Sequence, residues 1–424
     1  MRRYLLLIAP LLIGTLSAQN INFTINSFNA AVTGKNQTYT STFISAVAGT
    51  ASFTNVPLPN QVANVTITNG TITRQRGLGC DGAVQMTIKF TFDLNNTLTV
   101  FAYGAVPAAG TAATLNFYVT GGTGSFQTLG GSGTINGTLN SQTGVISGSG
   151  SGTLGVNTPP PPQIAPSGIV PVFSSVPIIQ PASWISIYGT FSTTTAQWNG
   201  DFPTKLGGVS VTVDNKPAYL WFVSPTQLNV QAPDSITSGC VNVAVTTANG
   251  TATQQVMLQP AQPSFSLYDG TPYAIGEIIT PDGTGGNANG TFDFVGPVGK
   301  LVFPSRPAKV GETVQLFAVG LGPTKTPVPA GQVDSIATLN PTTYPVTVSV
   351  GGKPAQVTFA GEIIAGLYQI NIVVPNVPSG DNVIVATVGA PNPVLFSSFS
   401  TQNCQDSDPQ GANPMDCNVY LTVR

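Results

Sequence analysis

The stretch whose reading decides the fold is Val346 to Val385, VTVSVGGKPAQVTFAGEIIAGLYQINIVVPNVPSGDNVIV. Val346, Val348 and Val350 alternate with period two, so the three valines share one face of a strand. Gly351-Gly352 follows at once, a pair suited to the tight turn of a β-hairpin. Gln369-Ile370-Asn371-Ile372 alternates again. Short β-branched runs separated by turn signals predict antiparallel β-structure.

An earlier stretch, Val209 to Val245, is a degenerate copy. Val209, Val211, Val213, Lys216, Pro217 and Ala218 correspond to Val346, Val348, Val350, Lys353, Pro354 and Ala355, with the lysines 137 positions apart. Gln227-Leu228-Asn229-Val230 corresponds to Gln369-Ile370-Asn371-Ile372 at an offset of 142, so the second copy carries five extra residues, placed at Gly361–Gly366. So long a period does not fit a solenoid turn; it fits two tandem domains of ordinary size. Asp214-Asn215 replaces Gly351-Gly352 as the turn pair. Pro217 and Pro354, just past the turns, suit edge positions where no ladder donor is needed. The Gln and Asn of the alternating strand are expected to bond neighbouring backbone, as buried amides must find partners.

The expected fold is all-β: an N-terminal β-barrel or sandwich followed by two tandem immunoglobulin-like β-sandwich domains. Arg2 and Arg3, an apolar run from Tyr4 to Leu16 and the exit Leu16-Ser17-Ala18 form a secretory signal peptide, 1–18. Residues 19–156 read as short strands spaced for a barrel or sandwich. Within them Gly121-Gly122-Thr123-Gly124-Ser125-Phe126 resembles a pattern in small secreted β-barrel domains. Residues 157–166 are a linker in which Pro159 to Pro162 favour a stiff polyproline spacer, expected to hold the N-terminal domain away from the rest. The first immunoglobulin-like domain covers 167–262, a connecting segment 263–300, and the second domain 301–424. Gly and Asn dominate Gly283 to Gly290, which predicts a mobile loop there.

Charged residues are 7% of the chain, so Thr, Ser, Asn, Gln and Gly must cover the surface. Without Arg2 and Arg3, 12 basic side chains face 16 acidic ones. No basic patch serves nucleic acid or anionic lipid, and no stretch is long and apolar enough for a membrane span. The expected location is secreted, extracellular or at the cell surface.

The chain has no histidine, which removes Ser-His-Asp and Cys-His hydrolases and His-based zinc sites. Only three glutamates, Glu277, Glu312 and Glu362, come after the leader, and nothing pairs them for glycoside hydrolysis. No catalytic residue, cofactor or enzyme activity is expected. Asp406, Asp408 and Asp416 share one loop with oxygen ligands of the kind calcium takes, a reading set against that of a solvated acidic loop. Cys404 and Cys417 enclose a short polar loop and are predicted to pair; Cys80 and Cys240 lie in different domains, where free buried thiols are favoured over a bridge.

Trp184, Trp198 and Trp221 all fall in the first repeat. Trp184 and Trp221 lie in aliphatic strands and read as core. Trp198 sits in the polar stretch Thr195 to Gly200 and is the candidate for a ligand contact. The recurring Lys-Pro-Ala reads as scaffold, so binding is to be sought where the copies differ: the Trp-rich first repeat, Gly361–Gly366 and the Cys404–Cys417 loop.

Gly311 to Pro323 (GETVQLFAVGLGP), Val348 to Ala355 and Gly366 to Pro375 (GLYQINIVVP) resemble the C-terminal domain family of secreted acidobacterial proteins, of the Solibacter type. The resemblance covers residues 165–424. It implies a surface-displayed β-module of unestablished activity and transfers no catalytic residues. The expected function is a non-enzymatic extracellular or envelope protein of adhesion, assembly or scaffold type, its modules presenting the N-terminal domain to an envelope protein or polysaccharide partner. The alternative is a carbohydrate-binding protein using exposed aromatics of the first module.

Overall fold

The computed structural model describes residues 19–424 apart from 30, 35–38, 47–48, 57, 76–79, 107–111, 141–144, 156–158, 175, 192, 235–236, 280–292, 334, 390–397 and 401–417. The leader, the Cys404–Cys417 pair, the three loop aspartates (406, 408, 416) and the Gly283–Gly290 loop lie outside the described residues. The chain is all-β, with a single 3-10 turn at Gly124–Phe126 among the described residues.

Eight strands of the N-terminal domain close on themselves. In spatial order they are Val62–Gln75, Thr50–Thr54, Gln19–Asn29, Val145–Gly155, Gly130–Asn140, Ala112–Thr123, Thr97–Val106 and Gly82–Thr91, which pairs back to Val62–Gln75. Alternation sends Ile21, Phe23 and Ile25 inward, with Val84, Met86, Ile88 and Phe90. The strand Val145–Gly155 reads VISGSGSGTLG and answers them with glycine. A Cβ on Gly150 would lie 2.1 Å from Cζ of Phe23, and one on Gly152 2.8 Å from Cζ of Phe117. The glycines leave the room that the aromatic rings fill, and Phe23 and Phe53 stack with centroids 5.1 Å apart.

The barrel is not held away from the first sandwich, which corrects the spacer reading of Pro159–Pro162. Cys80 and Cys240 form a disulfide with Cα atoms 5.4 Å apart, which corrects the expectation of free thiols. Asp81 N–H donates to Oε1 of Gln255 at 3.0 Å, Gln85 Nε2 to the Ile164 carbonyl at 3.2 Å, and Gln163 Nε2 to the Tyr118 hydroxyl at 2.5 Å. The proline run leads straight into the strand Gln163–Pro171.

That sandwich has one sheet of Gln163–Pro171, Trp184–Thr190, Gln227–Gln231, Tyr219–Val223 and Ala196–Gln197. The other holds Ile178–Ile179, Gly250–Leu258, Gly239–Thr247, Val209–Val213 and Lys205–Leu206, with Lys216–Pro217 on Val209–Val213. Val209, Val211 and Val213 are buried between the sheets with Ile185, Ile187 and Leu228. Each such side chain removed from water contributes ~1.5–3 kcal/mol.

In the second domain the long strand Lys353–Ile364 pairs with Val346–Val350 along its first residues and, along its last, with Leu367–Val373 on one edge and Ser335–Pro341 on the other, which joins its strands into one sandwich-like sheet system. The stretch 263–300 supplies Ser264–Phe265, Gly276–Ile279 and Asp293–Phe294 to it. Tyr420–Val423 closes it against Gly380–Gly389. Both decisive hairpins turn as read: Val213 pairs with Lys216 and Val350 with Lys353. Asp214 and Asn215 have φ of 50° and 62°, and Gly351 and Gly352 of 54° and 75°. Two successive left-handed residues are the type I′ geometry. Lys216 and Pro217 are exposed, as the edge reading requires.

Candidate functional site

The outer face of the first sheet of the first sandwich is built by alternation and one interruption. Trp184, Ser186 and Tyr188 point outward from Trp184–Thr190, while Ile185 and Ile187 point into the core. Gln227 and Asn229 point outward from the next strand. Ser186 Oγ donates to Oδ1 of Asn229 at 3.0 Å, and Gln227 Nε2 to the same oxygen at 2.9 Å. In the second domain Gln369 Nε2 repeats this, donating to Oδ1 of Asn371 at 2.8 Å. These amides therefore bond each other two residues along one strand face, not the neighbouring backbone as expected. With Asn229 Oδ1 occupied twice, its amide N–H groups are what it offers to an outside acceptor.

The interruption is in Tyr219–Val223. Leu220 and Val223 are both fully buried, three residues apart. Period two cannot put both inward unless one extra residue bulges, and the register with Gln227–Gln231 shifts between Leu220 and Phe222. Trp221 is that residue. A bulge re-aims a side chain, and Trp221 stands outside at 38% exposure, which corrects its reading as core. The missed signal was the odd spacing of the two buried aliphatics.

Trp198 is where the sequence placed it, on the surface at 44% exposure. Its indole N–H donates to the Asp201 carbonyl at 2.7 Å. Its backbone N–H donates to the Trp221 carbonyl at 2.8 Å. The two exposed tryptophans are thus joined through their backbones, and the Trp198 ring is held by its own loop. Trp184 is half-buried, neither core nor free. Its ring meets Phe202 edge-on at 4.9 Å and Trp221 at 6.1 Å, and its indole N–H donates to the Ala365 carbonyl of the second domain at 3.0 Å.

The five extra residues of the second copy thereby dock onto the first domain. Gly366 has φ of +75°, and a Cβ there would lie 2.8 Å from Cδ1 of Trp184, so glycine is needed for both backbone and approach. Phe202 N–H donates to the Gly331 carbonyl at 2.7 Å, and Gly331 N–H to Oε1 of Gln231 at 2.7 Å.

Beside this contact the two domains leave a cleft of about 520 Å³. Glu362 lines it from the strand Lys353–Ile364 and is 3% exposed. Its Oε1 accepts from Gly366 N–H at 2.6 Å. Burial pushes its carboxyl up to about 7, against the downward pull of that bond and of one with Thr324. Asp234 lines the opposite, first-domain side, where Oδ2 accepts from Ala330 N–H at 3.4 Å. Tyr368, fully enclosed, donates its hydroxyl to the Gly322 carbonyl at 2.6 Å, and burial drives its titration far upward. The other two glutamates lie elsewhere. Glu312 forms a two-pronged ion pair with Arg306 at 2.9 and 3.1 Å, and Glu277 is half-buried in Gly276–Ile279 with its carboxyl pushed up by burial. Among the described residues no three acidic or cysteine side chains gather as a metal site, and no helix is long and apolar enough to cross a membrane.

No family model matches the chain, and no curated protein matches it. Among solved structures, 82% of the chain is similar, at 13% identity and a TM-score of 0.27, to SGBP-B of the Bacteroides ovatus mixed-linkage glucan utilization locus, seen with a mixed-linkage heptasaccharide. The matched region spans 65% of that protein.

Proposed function

We propose that this chain is a non-enzymatic extracellular protein that binds a glycan on the aromatic outer face of its first sandwich. Adhesion or a scaffold role at the cell envelope follows from that contact. The observation that carries the reading is the pair of exposed tryptophans, Trp198 and Trp221, on backbone-bonded positions of one sheet edge. Exposed aromatic faces are costly in water unless something covers them, and flat rings flanked by amide hydrogen-bonding groups suit the C–H faces and hydroxyls of sugar rings. A fixed platform also loses little entropy on binding. A surface carried by few charges, 7% of the residues, favours a neutral polysaccharide. The disulfide and the leader-like N-terminus support an oxidising, exported location. The resemblance of residues 165–424 to secreted acidobacterial modules belongs to the same proposal.

A glycan array probed with the wild-type protein and with Trp198→Ala/Trp221→Ala tests it. Binding of at least one neutral polysaccharide class, lost in the double variant, is expected. Wild-type binding to nothing, or identical profiles for both proteins, would remove the reading.

A further inference from the structure

The cleft between the two sandwiches is separate from the aromatic face and has a chemistry of its own. Its volume is in the range of small-molecule sites, and domain junctions are where such sites form. Its walls are largely apolar: Pro181 and Pro260 from the first domain, Pro323 and Pro327 from the second, with Tyr344 beside them. Two acidic residues line this space, Glu362 from the second domain and Asp234 from the first. Among the described residues no Lys or Arg lines it. Lys325, next in sequence to the lining residue Thr324, is exposed outside it. A carboxyl almost out of contact with water and without a cation beside it is a group that burial penalises. The rise of Glu362 to about 7 expresses that penalty.

We propose that the cleft binds an organic ammonium ion with a short apolar body, its nitrogen between Glu362 and Asp234 and its alkyl part against the prolines. An ammonium supplies the missing charge and has three donors for the carboxyl oxygens. The prolines remove the alkyl chain from water without competing hydrogen-bond groups. The same chemistry is found in a free alkylamine and in a lysine side chain of a partner protein. Tyr344, Thr324, Ser238 and Tyr368 also line this space; the Tyr368 hydroxyl is taken up by the Gly322 carbonyl and that of Thr324 by the Thr326 carbonyl.

Isothermal titration of the full chain with n-butylammonium chloride at pH 8, where Glu362 is ionised, tests this. Saturable binding is expected, with n-butanol, the neutral isostere, at least ~10-fold weaker, as for the loss of ~1.4 kcal/mol. Asp234→Asn, a change at an exposed side chain, and Glu362→Gln, which keeps an acceptor for Gly366 N–H, are each expected to weaken butylammonium by ~10-fold. A parallel titration with Nα-acetyl-lysine methylamide separates the sources: binding at least as tight as butylammonium points to a protein lysine, weaker binding to a free amine. Butanol binding as tightly as butylammonium, unchanged affinity in both variants, or no saturable binding by wild type would overturn the proposal. None of these outcomes depends on whether a glycan binds the aromatic face.

Discussion

Replacing Glu362 by glutamine changes how stability depends on pH, and the size of the change follows from where the carboxyl sits. In the folded chain its pKa is pushed from the usual 4.5 to about 7 by burial. Each pKa unit corresponds to ~1.4 kcal/mol, so the shift is linked to ~3 kcal/mol of folding free energy. The folded pKa is the higher one, so the folded state holds this proton more tightly than the unfolded state. The contribution is fully present below 4.5 and is lost as pH rises through 7. The neutral acid tolerates burial; the carboxylate does not. Glu277 is shifted in the same sense by burial, while Glu312, held down by Arg306, and Asp93, held down by Asn96, act oppositely. Subtracting the variant from the wild type cancels these. Urea unfolding followed by tryptophan fluorescence at pH 5 and pH 8, disulfide intact, measures the difference. The wild type is expected to lose ~2.5 kcal/mol relative to Glu362→Gln between the two pH values. Parallel curves, with a difference under ~1 kcal/mol, would refute the burial of an uncompensated carboxyl.

Three further outcomes come from the packing. Cys80→Ser/Cys240→Ser opens a bridge between residues 160 apart, for which loop-closure entropy predicts a loss of ~5 kcal/mol in denaturant unfolding. Gly150→Ala drives a methyl into Phe23 inside the barrel and should cost ~1–3 kcal/mol by the same assay. Trp184→Ala removes the peg between the sandwiches and should cost ~2 kcal/mol or more; small-angle scattering is expected to show a larger radius of gyration, and an unchanged profile would mean that the other bonds across the junction hold it alone.

The hairpins were legible because their physics is local. Val-x-Val-x-Val sets the face, and Asp214-Asn215 or Gly351-Gly352 sets the turn. Strand Tyr219–Val223 was half legible: YLWFV looks like a buried run, and only the spacing of Leu220 and Val223 betrays the bulge that turns Trp221 out. The Cys80–Cys240 bridge was not legible, because it depends on how two domains dock, which no local pattern encodes. Pro159–Pro162 was read by its stiffness alone, although a spacer so short cannot separate domains that also share a disulfide and side-chain hydrogen bonds. Glu362 looked like a loop residue between glycines. It lies on a strand paired on both edges, between Asn340 and Tyr368, with Gly366 and Thr324 bonded to its carboxyl, and the clue was that it falls in the segment where the two copies differ.

The central claim, that the exposed indoles of the first sandwich contact a glycan, meets its most direct test in 19F NMR of 5-fluorotryptophan-labelled protein. The chain has three tryptophans, so each resonance can be assigned by one substitution. Adding a polysaccharide selected on the array should shift Trp198 and Trp221 saturably, and Trp184, held against Ala365, far less. Binding of the polysaccharide with the Trp198 and Trp221 signals unmoved would contradict the account.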